Sequence, residues 1–211
     1  MPTSAGSRRT YDSSRRQAAA QANRRAILEA CRELLFRDGY QATTVRAVAD
    51  QAGLSPETLY KAFGSKPQMM KALWDITLAG DDDPLTMAER PEIRTVLGTP
   101  DPQVKLELYA AFVSGVHERI AALFTLLTGS DPEVAQLLAT AEQERLTGVS
   151  AFVAHLADVG MLRTGADQNA VADAFWVLTS PDLFVKLTAD RRWSIGAYRR
   201  WLADTLTAAL L

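Results

Sequence analysis

The chain has 211 residues, 47% of them hydrophobic, with a formal net charge of −2, one cysteine and two histidines. That length supports one large or two small domains with a packed core, and a lone cysteine with two distant histidines excludes an internal disulfide and gives no metal-ligand spacing. No apolar run approaches the ~20 residues of a membrane span, and the N-terminus lacks the apolar stretch of a secretory signal, so a cytoplasmic protein is expected. Residues 1–17 are rich in Ser and Arg and poor in large apolar side chains, the composition of a disordered arm. Arg8, Arg9, Arg15 and Arg16 read either as a solvated basic tail or as a tail lying on DNA phosphates or in the minor groove.

From about Ala18 to Arg37 the stripe Ile27, Ala30, Cys31, Leu34 and Leu35 marks a helix that Gly39 ends. Cys31 on that stripe reads as a small buried hydrophobe. From Thr44 to Ala52, Val45, Val48, Ala49 and Ala52 fall at i, i+3, i+4 and i+7, one helical face. Gly53 stops this second helix, and Leu54 plugs the corner. Ser55 is a good N-cap for a third helix, with Pro56 at its first position and Glu57 suiting the dipole. Leu59 and Phe63 point inward together, which leaves Glu57, Thr58, Tyr60 and Lys61 facing elsewhere. A short helix with a small core face and a polar, hydroxyl-bearing, cationic outer face is what a major-groove reader needs. Residues 18–65 therefore form a three-helix domain of the helix-turn-helix kind. Charge agrees with that placement. Residues 1–75 hold 12 Lys+Arg and 7 Asp+Glu, a net of +5, whereas residues 76–211 hold 11 and 18, a net of −7. Phosphate contacts confined to one end fit this asymmetry.

Gly64 closes the third helix. Ser65 caps a fourth, with Gln68 completing a capping box and Lys66 in a first turn suited to phosphate. Met69, Met70, Leu73, Trp74 and Ile76 make it apolar on more than one side, so residues 66–80 are read as a connector. Asp81-Asp82-Asp83 and the prolines at 84, 91 and 100 mark a break. The acidic triplet reads as solvated or capping, with Asp83-Pro84 as a cap, rather than as a metal or catalytic cluster. A short helix near Pro91–Leu97 follows.

Asp101-Pro102 caps a helix over roughly 102–128 with the stripe Tyr109, Phe112, Val116, Leu123 and Leu127. His117 rides at the edge of that face, either as a satisfied boundary histidine or as a polar handle in an apolar pocket. Asp131-Pro132-Glu133 starts the next helix, which Gly160 ends. Val134, Leu138, Ala141, Val149, Phe152, Leu156 and Val159 line one face and Arg145 interrupts it. Phe152 and Arg145 serve core packing or line a cavity. Asp167 caps a segment with two apolar stripes between Val171 and Leu187, buried on both faces. Pro181 breaks it, with Ser180 a new cap. Ser194 caps the last helix, striped by Ile195, Tyr198, Leu202, Leu206 and Leu210, with Trp201 outside the stripe. Two late helices with more apolar surface than one core needs suggest an intermolecular four-helix bundle about a two-fold axis. No strand pattern, P-loop, GxGxxG, nucleophile elbow or HExxH stands in the sequence, so no enzyme, cofactor or metal is expected. The expected fold class is all-α: helix-turn-helix domain, connector, then a helical domain over 81–211 for effector binding and dimerisation.

Ile27-Leu28 through Phe36-Arg37-Asp38-Gly39-Tyr40, then Thr43-Thr44-Val45, Ala49, Ala52-Gly53-Leu54-Ser55 and Thr58-Leu59-Tyr60-Lys61-Ala62-Phe63-Gly64-Ser65-Lys66, resemble the TetR family of transcriptional regulators. The resemblance is strong over residues 24–75. Further on it is one of outline, with Thr179-Ser180-Pro181-Asp182-Leu183-Phe184 through Trp193-Ser194 to Trp201-Leu202 similar to one broad subgroup. It implies an all-α homodimer on a partly palindromic DNA operator. Thr43 or Thr44 would hold a phosphate, Thr58 and Lys61 would reach base edges, and Tyr60 and Lys66 would hold phosphates. Arg46 would reach a base or phosphate, and Ser55 joins the DNA-facing set. Glu57 and Ala62 depart from the commonest pattern. Glu57 repels phosphate but can accept from a cytosine amine.

The implied mechanism is ligand-controlled spacing of two recognition helices, ~34 Å apart when bound. An unknown small-molecule effector in the C-terminal domain would favour a conformer that loses this spacing. Tyr109, Phe112, His117, Phe152 and Trp176 are the candidate pocket residues, and repression is the default outcome. Two rivals remain. One is a helix-turn-helix protein without an effector, whose C-terminal domain would be packed solid. The other is a helical small-molecule-binding protein or enzyme in which the motif is only structural.

Overall fold

Helix α1 spans Gly6–Ala42 and bends at Gly39, whose φ of 81° is one that L side chains rarely adopt. The computed structural model describes residues 6–129 and 131–210, with side chains from residue 15 onward. The arm expected to be disordered over 1–17 is thus helical from Gly6, while residues 1–5 lie outside the described residues. Alanine, glutamine and arginine dominate Arg15–Arg25, and these are strong helix formers. Once the packed stripe from Ile27 nucleates the helix, extending it backwards costs little.

The remaining helices are α2 (Val45–Ala52), α3 (Pro56–Phe63), α4 (Lys66–Ala79), α5 (Pro91–Gly98), α6 (Pro102–Leu127), α7 (Pro132–Asp158), α8 (Gln168–Leu178), α9 (Pro181–Val185) and α10 (Ile195–Leu210). A 3-10 turn, Met87–Glu89, precedes α5, and a π-helical turn, Lys186–Asp190, follows α9. Among the described residues there is no strand, so the fold is all-α. The chain divides into two units, one ending at Leu73 and one beginning at Trp74, with α4 running across the division.

In the first unit α1 packs on α2 and α2 on α3. Ile27, Leu28, Cys31, Leu34, Leu35, Val48, Ala49, Leu59 and Phe63 are buried there. Burial pushes the Cys31 thiol up to about 12, so it stays protonated and behaves as an apolar side chain. In the second unit α6 is central, packed against α5, α9 and α10, with α7 on α8 and α8 on α10. By length and composition α6 could cross a membrane, but Leu106, Tyr109, Ala110, Val113, His117 and Ile120 on it are buried in the unit's core.

Two sequence expectations change in this unit. Asp83-Pro84 starts no helix. Asp81 instead accepts from the Asp83 N–H at 3.0 Å and pairs with Arg90, and Thr86 caps the 3-10 turn. The stripe of α10 is not spare surface either. Tyr198, Leu202, Leu206 and Leu210 are buried in the core of their own chain, so they do not form a subunit seam. The sequence pattern shows that a face is apolar, but not which partner covers it.

Candidate nucleic-acid interface

The turn between α2 and α3 is built by three residues whose chemistry fits its geometry. The Thr44 hydroxyl accepts from the Ala47 N–H at 3.1 Å and caps α2. Gly53 takes φ 66°, and the Leu54 N–H reaches back to the Ala49 carbonyl at 3.0 Å, which closes the end of α2. The Ser55 hydroxyl then accepts from the Thr58 N–H and caps α3 behind Pro56. These local constraints set the direction in which α3 leaves the turn.

Leu59 and Phe63 bury the inner face of α3. Arg24 on α1 sits 4.9 Å from the Phe63 ring centroid, and Gln51 on α2 donates to Glu33 on α1 at 2.6 Å. Sequence reasoning missed both contacts, because neither residue has a spacing signal. With α3 held this way, Glu57, Tyr60 and Lys61 are exposed, Thr58 is half-buried, and Tyr60 shows 55% of its surface. An aromatic that open on a short polar helix has no folding role. The Thr58 hydroxyl lies 3.1 Å from that of Ser55, which fixes its rotamer at the start of the outer face. Bonds from its own backbone N–H and from the Ser55 hydroxyl hold the Glu57 carboxyl below its usual range, so it is ionised. This face therefore shows a cation, two hydroxyls and a carboxylate, a donor and acceptor set suited to base edges.

Other expected contacts are placed differently. Arg46 is exposed in the first turn of α2 beside the exposed Thr44. Thr43 is fully buried, and its hydroxyl donates to the Gly39 carbonyl at 2.8 Å. Of the two threonines offered for a phosphate, only Thr44 is accessible, because Thr43 closes the α1 bend. Lys66 is also turned inward. Its ammonium donates to the Tyr40 carbonyl at 2.7 Å and lies 3.7 Å from the centroid of that ring. The phosphate role expected for Lys66 gives way to a brace between α4 and the end of α1. Arg15 and Arg16 are exposed on α1.

The five candidate pocket residues sit in different surroundings. Tyr109 stacks on Phe152 at 4.0 Å between centroids, and both are buried in the core. His117, at 3% exposure, is central rather than at an edge. Trp176 is half-buried with Arg145 5.1 Å from its ring centroid. Phe112 is the one of the five that lines a cleft of about 410 Å³, formed with Ala79, Arg90, Val96, Leu108 and Arg119.

The family model of bacterial regulatory proteins of the tetR family matches residues 27–73, which hold α2, α3 and most of the packing that orients them. The HTH-type transcriptional regulator AlkX of Mycobacterium tuberculosis is 29% identical over 159 residues, 72% of this chain and 70% of that one. The transcriptional regulator FadR from Bacillus subtilis, solved in complex with stearoyl-CoA, superposes with a TM-score of 0.66. It is 17% identical and covers 88% of this chain and 98% of that one. A TetR transcription regulator from Haloarcula marismortui gives 0.60 at 15% identity over 90% and 97% of the two chains. At these identities the structural likeness is one of fold. Residues 27–73, with the capped, outward-facing α3, are therefore similar to the DNA-binding segment of bacterial regulatory proteins of the tetR family, and the chain shares the fold of TetR-family regulators.

Proposed function

We propose that the protein is a repressor that binds a palindromic operator as a homodimer in the cytoplasm and is released by a small-molecule effector. The observation that carries the reading is the outer face of α3, where Glu57, Thr58, Tyr60 and Lys61 stand together on a helix braced from behind by Leu59 and Phe63. Thr58 and Lys61 read base edges, Glu57 selects a cytosine amine, and Thr44, Arg46 and Tyr60 hold phosphates. Exposed Val177 on α8 and Trp193 ahead of α10 supply apolar surface for a dimer contact. With both copies held together, two α3 helices enter successive major grooves ~34 Å apart. The protein acts by binding and performs no catalysis.

A regulator without an effector is the second reading, supported by the filled aromatic centre around Tyr109, Phe152 and Phe175. The cleft beside Phe112 supports the responsive reading, as does the stearoyl-CoA in the related fold of Bacillus subtilis FadR. The test is selection of bound genomic fragments, followed by fluorescence anisotropy of the recovered operator. Wild type binds it tightly, and Lys61→Ala with Thr58→Ala does not, while the dimer persists by sedimentation. Unchanged operator binding by that double variant would remove α3 as the reader.

A further inference from the structure

The second unit contains a buried arginine that its own fold leaves half-used. Arg90 is 6% exposed, yet its Nε and Nη2 have no hydrogen-bond partner, and only Nη1 is engaged, with Asp81. Buried N–H groups of a cation are costly to leave unmade, and native structures rarely do so. The two orphaned nitrogens are not an arbitrary pair. Nε and Nη2 form one edge of the guanidinium, with parallel N–H bonds that match the two oxygens of a carboxylate or phosphate. Arg90 lines the 410 Å³ cleft, where Val96, Leu108, Ala111 and Phe112 supply apolar wall. Small-molecule sites are commonly of this size and kind, mostly apolar with a few placed polar groups.

A second cation stands on the same cleft. Arg119 donates through Nε and Nη2 to the Leu78 carbonyl near the end of α4, at 3.2 and 2.8 Å. It comes that close because Gly80 has no side chain, and a Cβ there would stand 3.1 Å from Arg119 Cδ and Nε. Asp81 balances one of the two arginines. Glu92, exposed among the residues that line the cleft, and Asp83 are further carboxylates of the chain itself that compete for Arg90.

We propose that this cleft is a ligand site for an oxyanion carried on an apolar body, which enters with a shift of the cleft wall that opens the closed-off Nε–Nη2 edge of Arg90 to the carboxylate or phosphate. The proposal deepens the effector reading above and rests on it for its link to DNA. An anion that draws Arg119 away from Leu78 removes the cap on the last turn of α4, the helix that runs on from the DNA-binding unit.

The test uses the full chain and isothermal titration calorimetry with octanoate, octyl phosphate, octanol, octylammonium and inorganic phosphate. The two amphiphilic anions bind at least tenfold tighter than octanol and octylammonium. Arg90→Lys keeps the charge but loses the fork, and weakens octanoate at least tenfold while leaving octanol unchanged. Ala111→Phe fills the cleft without touching the Arg90–Asp81 pair and abolishes binding of all amphiphiles. Glu92→Gln removes one internal competitor and tightens octanoate. Should Arg90→Lys fail to fold by circular dichroism, the Ala111 and Glu92 variants decide. Equal binding of octanoate and octanol, no anion binding at millimolar concentration, or wild-type octanoate affinity in Ala111→Phe overturns the site. Inorganic phosphate binding as tightly as octyl phosphate removes the apolar body from the proposal. Operator anisotropy is read separately. Arg90-dependent octanoate binding that leaves operator affinity unchanged overturns the effector reading and keeps the site. Operator release by octanoate that persists in Arg90→Lys overturns the site and keeps the reading.

Discussion

His117 Nδ1 stands 3.2 Å from the Tyr198 hydroxyl in a position shut off from solvent, joining α6 to α10. A backbone hydrogen bond with Thr179 ties the same imidazole to the end of α8, and the Phe184 ring lies 5.4 Å away. Burial, helped by the nearby Arg145 guanidinium, pushes the imidazole down to about 3, so the ring is neutral in the folded protein. The residue that looked like a candidate ligand handle is a polar tie inside the core.

A pH dependence of stability follows. The unfolded chain takes up a proton near the ordinary histidine value of about 6.5, while the folded chain does not until about 3. The contribution is therefore complete above about pH 6.5 and is lost as the pH falls toward the folded value, at up to ~1.4 kcal/mol per pH unit. Urea unfolding at pH 7 and pH 5 should show wild type losing more stability than His117→Gln over that interval. Equal losses would show that this imidazole is not the group responsible.

Arg145 carries a second structural prediction. Its Nη1 donates to the Trp176 carbonyl at 2.6 Å and to the Thr179 carbonyl and hydroxyl at 3.2 Å, while Nε and Nη2 bind Glu142. It serves the carbonyls that the break before Pro181 leaves open at the end of α8. Arg145→Met strands those carbonyls and the Glu142 carboxylate, at a cost of about 2–4 kcal/mol by urea unfolding. Arg145→Lys should recover little of it, since one ammonium cannot serve both groups of acceptors.

Leu206 and Val177 separate the core from the proposed dimer contact. Leu206 is fully buried within its own chain, so Leu206→Ala should cost about 2–5 kcal/mol of stability through the cavity it opens. Val177 shows 52% of its surface, and Val177→Asp should leave the melting temperature of the fold largely intact while shifting sedimentation toward monomer. A dimer unaffected by Val177→Asp would place the contact away from the outer face of α8.

The inward turn of Lys66 sets it apart from Lys61. Lys61→Ala should weaken operator binding by about 1–3 kcal/mol and lower its salt dependence, because a cation leaves the DNA-facing surface. Lys66→Ala should instead lower the melting temperature, because it removes the brace to Tyr40. Anisotropy at several salt concentrations, with a thermal melt of each variant, checks both.

The sequence by itself determined the all-α class, the bounds of α2 and α3, and the outward set on α3. Those features rest on local chemistry: a threonine cap, a glycine at positive φ, a serine cap before proline, and a period of 3.6. Local rules act within a few residues, so they can be read along the chain. Only the tertiary structure decided that Thr43 and Lys66 turn inward, that the stripe of α10 fills its own core, and that His117 is central. The arm after Gly6 also proved helical, where composition alone suggested disorder. The same holds for Arg90, whose exposed or buried state depends on the chain around it and not on its neighbours in sequence. An apolar stripe or a lone cation has the same local pattern whichever surface it meets, and the free energy that assigns the partner comes from burial across elements distant in the chain.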